Sequence, residues 1–471
     1  MKAYETTKIG TNRGAPRVWI EGIKAKLAGF FPGKRFSART DAEKKMLILS
    51  LADTEGERLV SKRMRGDKEI PIIDINSSEL LSVFDGFETL RVIVQEGRIF
   101  LMPLASELAA KERLDRLQRK METGEPILVG SVSHGGGVLT NALHHGLEAE
   151  GVKSKLAFAN EIRPELLEQS AEHNDAWDES TIMLAAPMQE LAMDNWAMNR
   201  LPIVELLEAG LPCSGASVAG RAANKTSMAE AHEHVGHLVV SFLQIVQKVQ
   251  PTVVVLENVK QYQSSASMYL LRYQLRDMGY EVHEEILQSA DWGALEHRER
   301  LSMVAVTKGM SFDFAMLERY VGQSQKIGDV LDDIGADHSS WSEMAGLKAK
   351  QERDMAAGKG FKMQIVTPCD TKCPTITKGY AKVRSTDPKL QHPSNPNLLR
   401  QFTAAEHARI KGIPQSLIVG LSNTVAHELL GQSIIYQPFI AVGALIGRML
   451  KSMCVPTALC ELPKFELRMA C

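Results

Sequence analysis

Cysteine is scarce in this chain: six of 471 residues, at positions 213, 369, 373, 454, 460 and 471, with no CxxC pair among them. That spacing excludes a disulfide framework and a zinc knuckle. Cys369 and Cys373, with His392 downstream, lack a fourth ligand, so no metal site is expected. Long apolar runs are missing too. The opening MKAYETTKIG is polar, and nothing approaches the roughly 18 residues needed to span a bilayer. The expectation is a chain with neither signal peptide nor membrane helix, kept in the cytoplasm. Nor is there a surplus of either charge. Lys and Arg number 55 against 57 Asp and Glu, a net charge of -2, so any polyanion-binding surface must be local.

What is present is a soluble globular composition, 44% hydrophobic and 24% charged, long enough for two to four domains at about 100–200 residues each. Residues 1–50 hold 11 bases and 4 acids, and residues 345–400 repeat those figures. Two basic segments in a neutral protein suit a molecule with one face on a phosphate backbone, and equally suit two solvated surface stretches. Residues 1–40, rich in Gly and base with little periodicity, read as an arm. From about 45 the texture is β-like: KMLILSLA, PIIDI, then LRVIVQEGRIFLMPLA, whose QEGR reads as a hairpin turn. A helix follows at SELAAKERLDRLQRKM with Ser106 as N-cap.

From Pro126 short apolar strands alternate with helices over roughly 180 residues, which predicts a parallel sheet covered on both faces. Ligands of such sheets sit beyond the carboxyl ends of the strands, so the residues there are the candidates. After ILVGSV comes Ser133-His134-Gly135-Gly136-Gly137, either a plain tight turn or one that lets a nucleotide-like ligand approach the backbone at a helix N-terminus. LAFANEIRPE then ends a strand at Glu161, an acid able to bind both hydroxyls of a ribose. The next strand should finish at Pro212-Cys213, where a thiolate could reach out, although most cysteines are buried structural thiols. PTVVVLENV brings Glu257 to the same edge as a proton-donating carboxyl whose pKa burial would raise. Arg298 and Arg300 alternate before LSMVAV, either projecting forked donors to one side or studding a solvated edge. Between about 308 and 400 the pattern dissolves into an irregular basic segment, and helices resume from Thr403.

In this order the motifs resemble the DNA (cytosine-5) methyltransferases. The match rests on the Gly135/Gly137 turn, Glu161, Pro212-Cys213 with Ser217, Glu257-Asn258-Val259, Arg298 and Arg300, Thr403, Glu406 and Pro414 in TAAEHARIKGIP, and Gly431-Gln432-Ser433. It runs from about 126 to 445. The resemblance implies an α/β, Rossmann-like S-adenosylmethionine-dependent methyltransferase domain over 121–307, completed by helices in 401–471. It also implies a smaller target-recognition domain over 308–400, and leaves an N-terminal α+β extension with a basic arm over 1–120. The implied cofactor is S-adenosylmethionine, held by Ser133, His134, Gly135, Gly137, Glu161, Pro212, Gln432 and Ser433. The implied partner is double-stranded DNA, bound by a monomer in a prokaryotic cell or phage-infected host, with contacts from Ser217, Arg221, Lys225, Asn258, Lys378, Lys382 and Arg384. A cognate restriction endonuclease is a further candidate partner. The target cytosine is implied to flip out of the duplex, because its C5 and C6 cannot be attacked while it is stacked. Cys213 would be the nucleophile and Glu257 the acid at N3. Arg298 would hold the O2 edge with Arg300 beside it, and the loop after Cys213 would close over DNA.

The sequence departs from the family pattern at several places. Ser131 and Ser133 stand for an Asp and an aromatic residue, Val138 for the last glycine, and Ala185 or Ala186 for an acid near the adenine. Ser214 and Glu296 replace glutamines and Gln432 an asparagine. Gln432 and the altered turn leave open a variant S-adenosylmethionine as donor. The rival readings are an RNA cytosine-5 methyltransferase and a non-catalytic DNA-binding relic. Loss of Cys213 or Glu257 would mark the relic, and both are present.

Overall fold

The computed structural model describes residues 1–52, 56–212, 230, 236–319 and 325–453. The chain divides into two compact units, 1–112 and 113–471. The first unit is built from β1 (Ala3–Lys8), β2 (Gly10–Asn12), β3 (Ala15–Glu21), β4 (Arg35–Asp41), β5 (Met46–Ala52), β6 (Arg58–Leu59), β7 (Ser61–Arg65), β8 (Lys68–Ile75), β9 (Thr89–Gln95) and β10 (Arg98–Pro103). They pair antiparallel in two sheets, ordered β1-β9-β10-β5-β4-β6 and β2-β3-β8-β7. Period-two alternation decides which side is buried: Leu90, Val92 and Val94 of β9 and Ile99 and Leu101 of β10 are fully buried. QEGR makes the expected hairpin, with Arg98 opposite Gln95 and Gly97 at positive φ.

Residues 1–40 correct the expected arm. They form three strands, a short helix and most of a fourth strand, and they place Val18, Ile20, Ala25, Ala28, Phe30 and Phe36 in the core of this unit. Val18 and Ile20 point inward while Arg17 and Trp19 face outward, so the bases belong to strand exteriors. Ser106 is not an N-cap either. The helix Ala105–Thr123 begins before it, and Leu108 N–H already bonds to the Leu104 carbonyl.

The second unit carries the α/β sheet: β11 (Ile127–Val132), β12 (Ser154–Glu161), β13 (Ile182–Ala185), β14 (Leu206–Ala209), β15 (Val253–Val259), β16 (Tyr280–Gln288) and β17 (Glu299–Thr307). Their order is β13-β12-β11-β14-β15-β17-β16. The first five are mutually parallel, and apolar runs such as VVVL in β15 are buried because helices cover both faces. β17 corrects the expectation of an all-parallel sheet, since it runs antiparallel to both β15 and β16. The link between β16 and β17 is too short for the crossover of a dozen or more residues that a parallel return needs.

From β11 the chain winds outward to β13 and returns to β14 beside β11, so the turns after β11 and β14 diverge and open a crevice. The segment after β17 is irregular. It contains the helix Ala345–Ala356, β18 (Ile365–Val366), β19 (Lys389–Gln391) and β20 (Leu399–Arg400), around a small core with Ile327, Val366, Ile376, Tyr380 and Leu390. The helices Asn423–Gln432 and Tyr436–Ser452 add Leu429, Leu430, Phe439 and Val442 to the core under the sheet.

The helix Tyr436–Ser452 approaches Val138–Ala149 backbone to backbone. A Cβ at Gly146 would lie 2.2 Å from the Ile440 carbonyl oxygen, and one at Gly443 2.6 Å from that of Leu143. Gly443→Val is therefore expected to cost about 3 kcal/mol through forced separation of the helices. Gly346→Ala, in a helix with nothing within 4 Å of the new methyl, is expected to be neutral or slightly stabilising. Urea unfolding curves of the two variants check both signs.

Candidate active site at the carboxyl edge of the sheet

β11 ends in a turn that folds back on itself, with positive φ at Ser133, Gly135 and Gly137. Gly137 stands at the N-terminus of the helix Val138–Ala149. A Cβ there would lie 2.4 Å from Ser170 Oγ and 2.7 Å from His134 Nε2, so only glycine fits. Gly135 has open space where a side chain would project. Its N–H donates to Glu161 Oε2 at 2.9 Å, while Glu161 Oε1 accepts from the N–H groups of Ile162 and Arg163 at 3.0 and 3.3 Å. Glu161 thus ties the end of β12 to the turn.

His134, expected to touch a cofactor, is instead a strut beneath the turn. Its ring is buried, with Nδ1 2.8 Å from Ser131 Oγ and Nε2 2.8 Å from Ser170 Oγ. Burial pushes its pKa down to about 3, so the ring is neutral. Next to it lies an acid that the motif reading missed. Glu208 of β14 is 2% exposed, stands opposite Ser131 in the sheet register and accepts a hydrogen bond from Thr140 Oγ1 at 2.5 Å. Where the resembled family has an acid at 131, the neighbouring strand supplies one at the same level.

Across the crevice, Glu257 near the end of β15 pairs with Arg300 Nε at 2.6 Å, each side chain 12% exposed. Arg300 reaches it because Val259 and Arg300 are register partners. A Cβ at Gly210, just beyond β14, would lie 4.0 Å from Glu257 Oε2 and 3.7 Å from the Ser133 carbonyl oxygen. The turn, the end of β14 and the carboxylate therefore meet around one small space. Asn258, expected on DNA, is buried and donates to the Leu211 carbonyl at 3.1 Å, holding the segment that leads to Pro212. Cys213, Ser217, Arg221 and Lys225 lie outside the described residues.

The two arginines do not act alike. β17 starts only at Glu299, so strand alternation does not extend to Arg298. Arg298 turns inward, donating to Glu296 Oε1 at 3.1 Å and to the Gly431 carbonyl at 2.9 Å, and it is Arg300 that faces the crevice acid. Glu296 also accepts from the Ile376 N–H at 2.9 Å and lies 3.4 Å from Lys411 Nζ, with neither side chain exposed. Burial alone would raise the Glu296 carboxyl, but Lys411 and Arg298 hold it below its usual value. Lys411 in turn donates to the Leu430 and Ser433 carbonyls.

The end of the helix Asn423–Gln432 is held from two sides. Leu429 presses on Gly136, where a Cβ would lie 2.3 Å from Leu429 Cδ1, and Gly431 packs against the Lys378 backbone, where a Cβ would lie 2.3 Å from Lys378 N. Gln432 is exposed, and the Ser433 hydroxyl donates to the Leu429 carbonyl. Lys378, Lys382 and Arg384 are exposed on the irregular segment.

Glu296→Ala leaves Arg298 and Lys411 buried without their counter-charge, a loss expected to cost about 3–5 kcal/mol. Because the carboxyl is held low, the stabilisation it gives is full above about pH 4.5, its reference value, and fades as pH falls through its lower folded-state value. Urea titrations of wild type and Glu296→Ala between pH 3 and pH 7 read both the size and the sign.

A family model described as C-5 cytosine-specific DNA methylase matches residues 140–447. Type II methyltransferase M.NlaX of Neisseria lactamica is 28% identical over 240 residues, covering 50% of this chain and 73% of that protein. The tRNA (cytosine(38)-C(5))-methyltransferase of Schizosaccharomyces pombe is 28% identical over 207 residues, covering 39% and 60%. Among solved structures, S. pombe Dnmt2 methyltransferase aligns with a TM-score of 0.53 at 20% identity, over 70% of this chain and all of that one, a likeness of fold. The sheet is therefore of the Rossmann-like methyltransferase kind, and the chain belongs to the C-5 cytosine-specific DNA methylase family.

Proposed function

We propose that this protein transfers a methyl group from S-adenosylmethionine to C5 of a cytosine flipped out of duplex DNA. The observation that carries the reading is the Glu257–Arg300 pair beside Gly210, because it sets an acid and a forked donor at the crevice three residues from Cys213. The crevice also fits the cofactor. Gly135 leaves the turn open, Gly210 leaves space above β14, and Glu161 brings a carboxylate to the edge of the turn. Gly135, Gly137, Glu161 and Pro212 would hold the adenosine and methionine parts, with Gln432 and Ser433 at the neighbouring helix end. When bound, S-adenosylmethionine supplies an electrophilic methyl on a sulfonium.

The residues do the rest. Cytosine C5 is too weak a nucleophile on its own, so the Cys213 thiolate adds to C6 and makes C5 enamine-like. Glu257 takes up a proton from solvent and shares it with N3 as that bond forms, and N3 gives the proton back once C5 carries the methyl. Arg300 keeps Glu257 in place beside the O2 edge, the role the resemblance implied for Arg298. After methylation a base removes the C5 proton, the C6–sulfur bond breaks, and 5-methylcytosine leaves. Lys378, Lys382 and Arg384 would meet the phosphate backbone, together with Ser217, Arg221 and Lys225 of the loop after Cys213. The tRNA relative favours RNA as the second reading, with the same chemistry.

Incubation with methyl-labelled cofactor and either plasmid DNA or tRNA separates the two. Label is expected in DNA as 5-methylcytosine. Label in tRNA alone selects the second reading, and label in neither removes both. Cys213→Ser is expected to abolish incorporation, while Glu257→Gln should slow it by about 10²–10⁴-fold.

A further inference from the structure

Glu208 has no part in the reaction sequence above, yet its position is unusual. It is level with Val255 of β15, two residues before Glu257 on that strand, so it lies on the same side of the sheet as Glu257, about 6.5 Å below it. The groups around it leave its charge unmatched. Thr140 on the covering helix donates to it and Ser131 stands beside it on β11. His134 Nδ1 is 4.0 Å away but neutral, and the nearest other charge, on β15, is the like-charged Glu257. Burial, opposed by the Ser131 and Thr140 hydroxyls and helped by Glu257, pushes its carboxyl up to about 7. A buried acid with hydroxyl partners, no cation beside it among the described residues and an open crevice above it is set up to respond to a positive charge arriving there.

We propose that Glu208 is a positioning residue that loses its proton to solvent when a sulfonium-bearing cofactor enters the crevice, and that the resulting carboxylate then matches the ligand's positive charge. This rests on the cofactor reading above. A cation one side-chain length away in a poorly hydrated site favours the ionised form, so binding and deprotonation are linked. The linkage also gives Glu208 an effect in the free protein. A raised acid stabilises the fold fully below its ordinary value of 4.5, and that contribution is lost as pH rises through about 7.

The test is calorimetric titration of the full chain at pH 6, 7 and 8, in buffers of different ionisation heat, with S-adenosylmethionine and with S-adenosylhomocysteine. The second ligand has the same amino acid and adenosine but no charge on sulfur. S-adenosylmethionine should bind about tenfold tighter at pH 8 than at pH 6 with proton release near pH 7, and S-adenosylhomocysteine should show a distinctly smaller change. Glu208→Gln should abolish the difference between the two ligands. Because the two-ligand comparison uses the unmodified protein, it stands even if that variant fails to fold. Equal pH dependence for both ligands overturns the proposal and leaves the cofactor reading intact. Failure of both ligands to bind at any pH overturns both.

Discussion

An ionised carboxylate at the end of a buried strand is tolerable only with a counter-charge at hydrogen-bonding distance. Glu257 has one because β17 lies beside β15 and runs the opposite way, so that Arg300 arrives level with Val259 and its guanidinium reaches back to the acid. Had β17 joined at the sheet's outer edge, with β16 between it and β15, the same sequence would have placed Arg300 one strand farther off. The insertion of β17 between β15 and β16 is thus what makes the acid usable, and the turns after β11 and β14 gain their meaning from facing it.

A second set of charges does different work a short way behind. Glu296 and Arg298 meet Lys411 from a distant stretch of chain, out of water, with backbone carbonyls of the helix end at 430–433 completing their hydrogen bonds. Arg298 and Arg300 are separated by one residue, yet one turns to the interior and the other pairs with Glu257 at the crevice. The glutamate at 296, where the family pattern has glutamine, is matched by a lysine 115 positions later that has no other acid within the cluster.

Much of the fold was legible because its signals are local. The hairpin at QEGR, the glycine turn after an apolar strand and the helices following Thr403 each declare themselves within a dozen residues. The bases of residues 1–40 hid a strand whose inward positions, Val18 and Ile20, are too few to stand out. The antiparallel direction of β17 depended on the short link after β16 rather than on either strand's composition. Within the site, the sequence names residues but not the directions of their side chains. Nothing in ENV or HRER says which side chain turns to the interior, and Asn258 and Arg298 both did. Glu208 was overlooked because an acid inside LPIVELLEAGLP carries no motif. Its meaning comes from Ser131 lying across from it.

The helix Asn423–Gln432 touches the glycine turn through Leu429 and the irregular basic segment through Gly431, each contact too close for an added methyl. Such a helix behaves as a fixed spacer between the glycine turn and the irregular segment. The two cannot shift independently. A shift of the turn is opposed by the packing at Gly431, and a shift of the segment by the packing at Gly136.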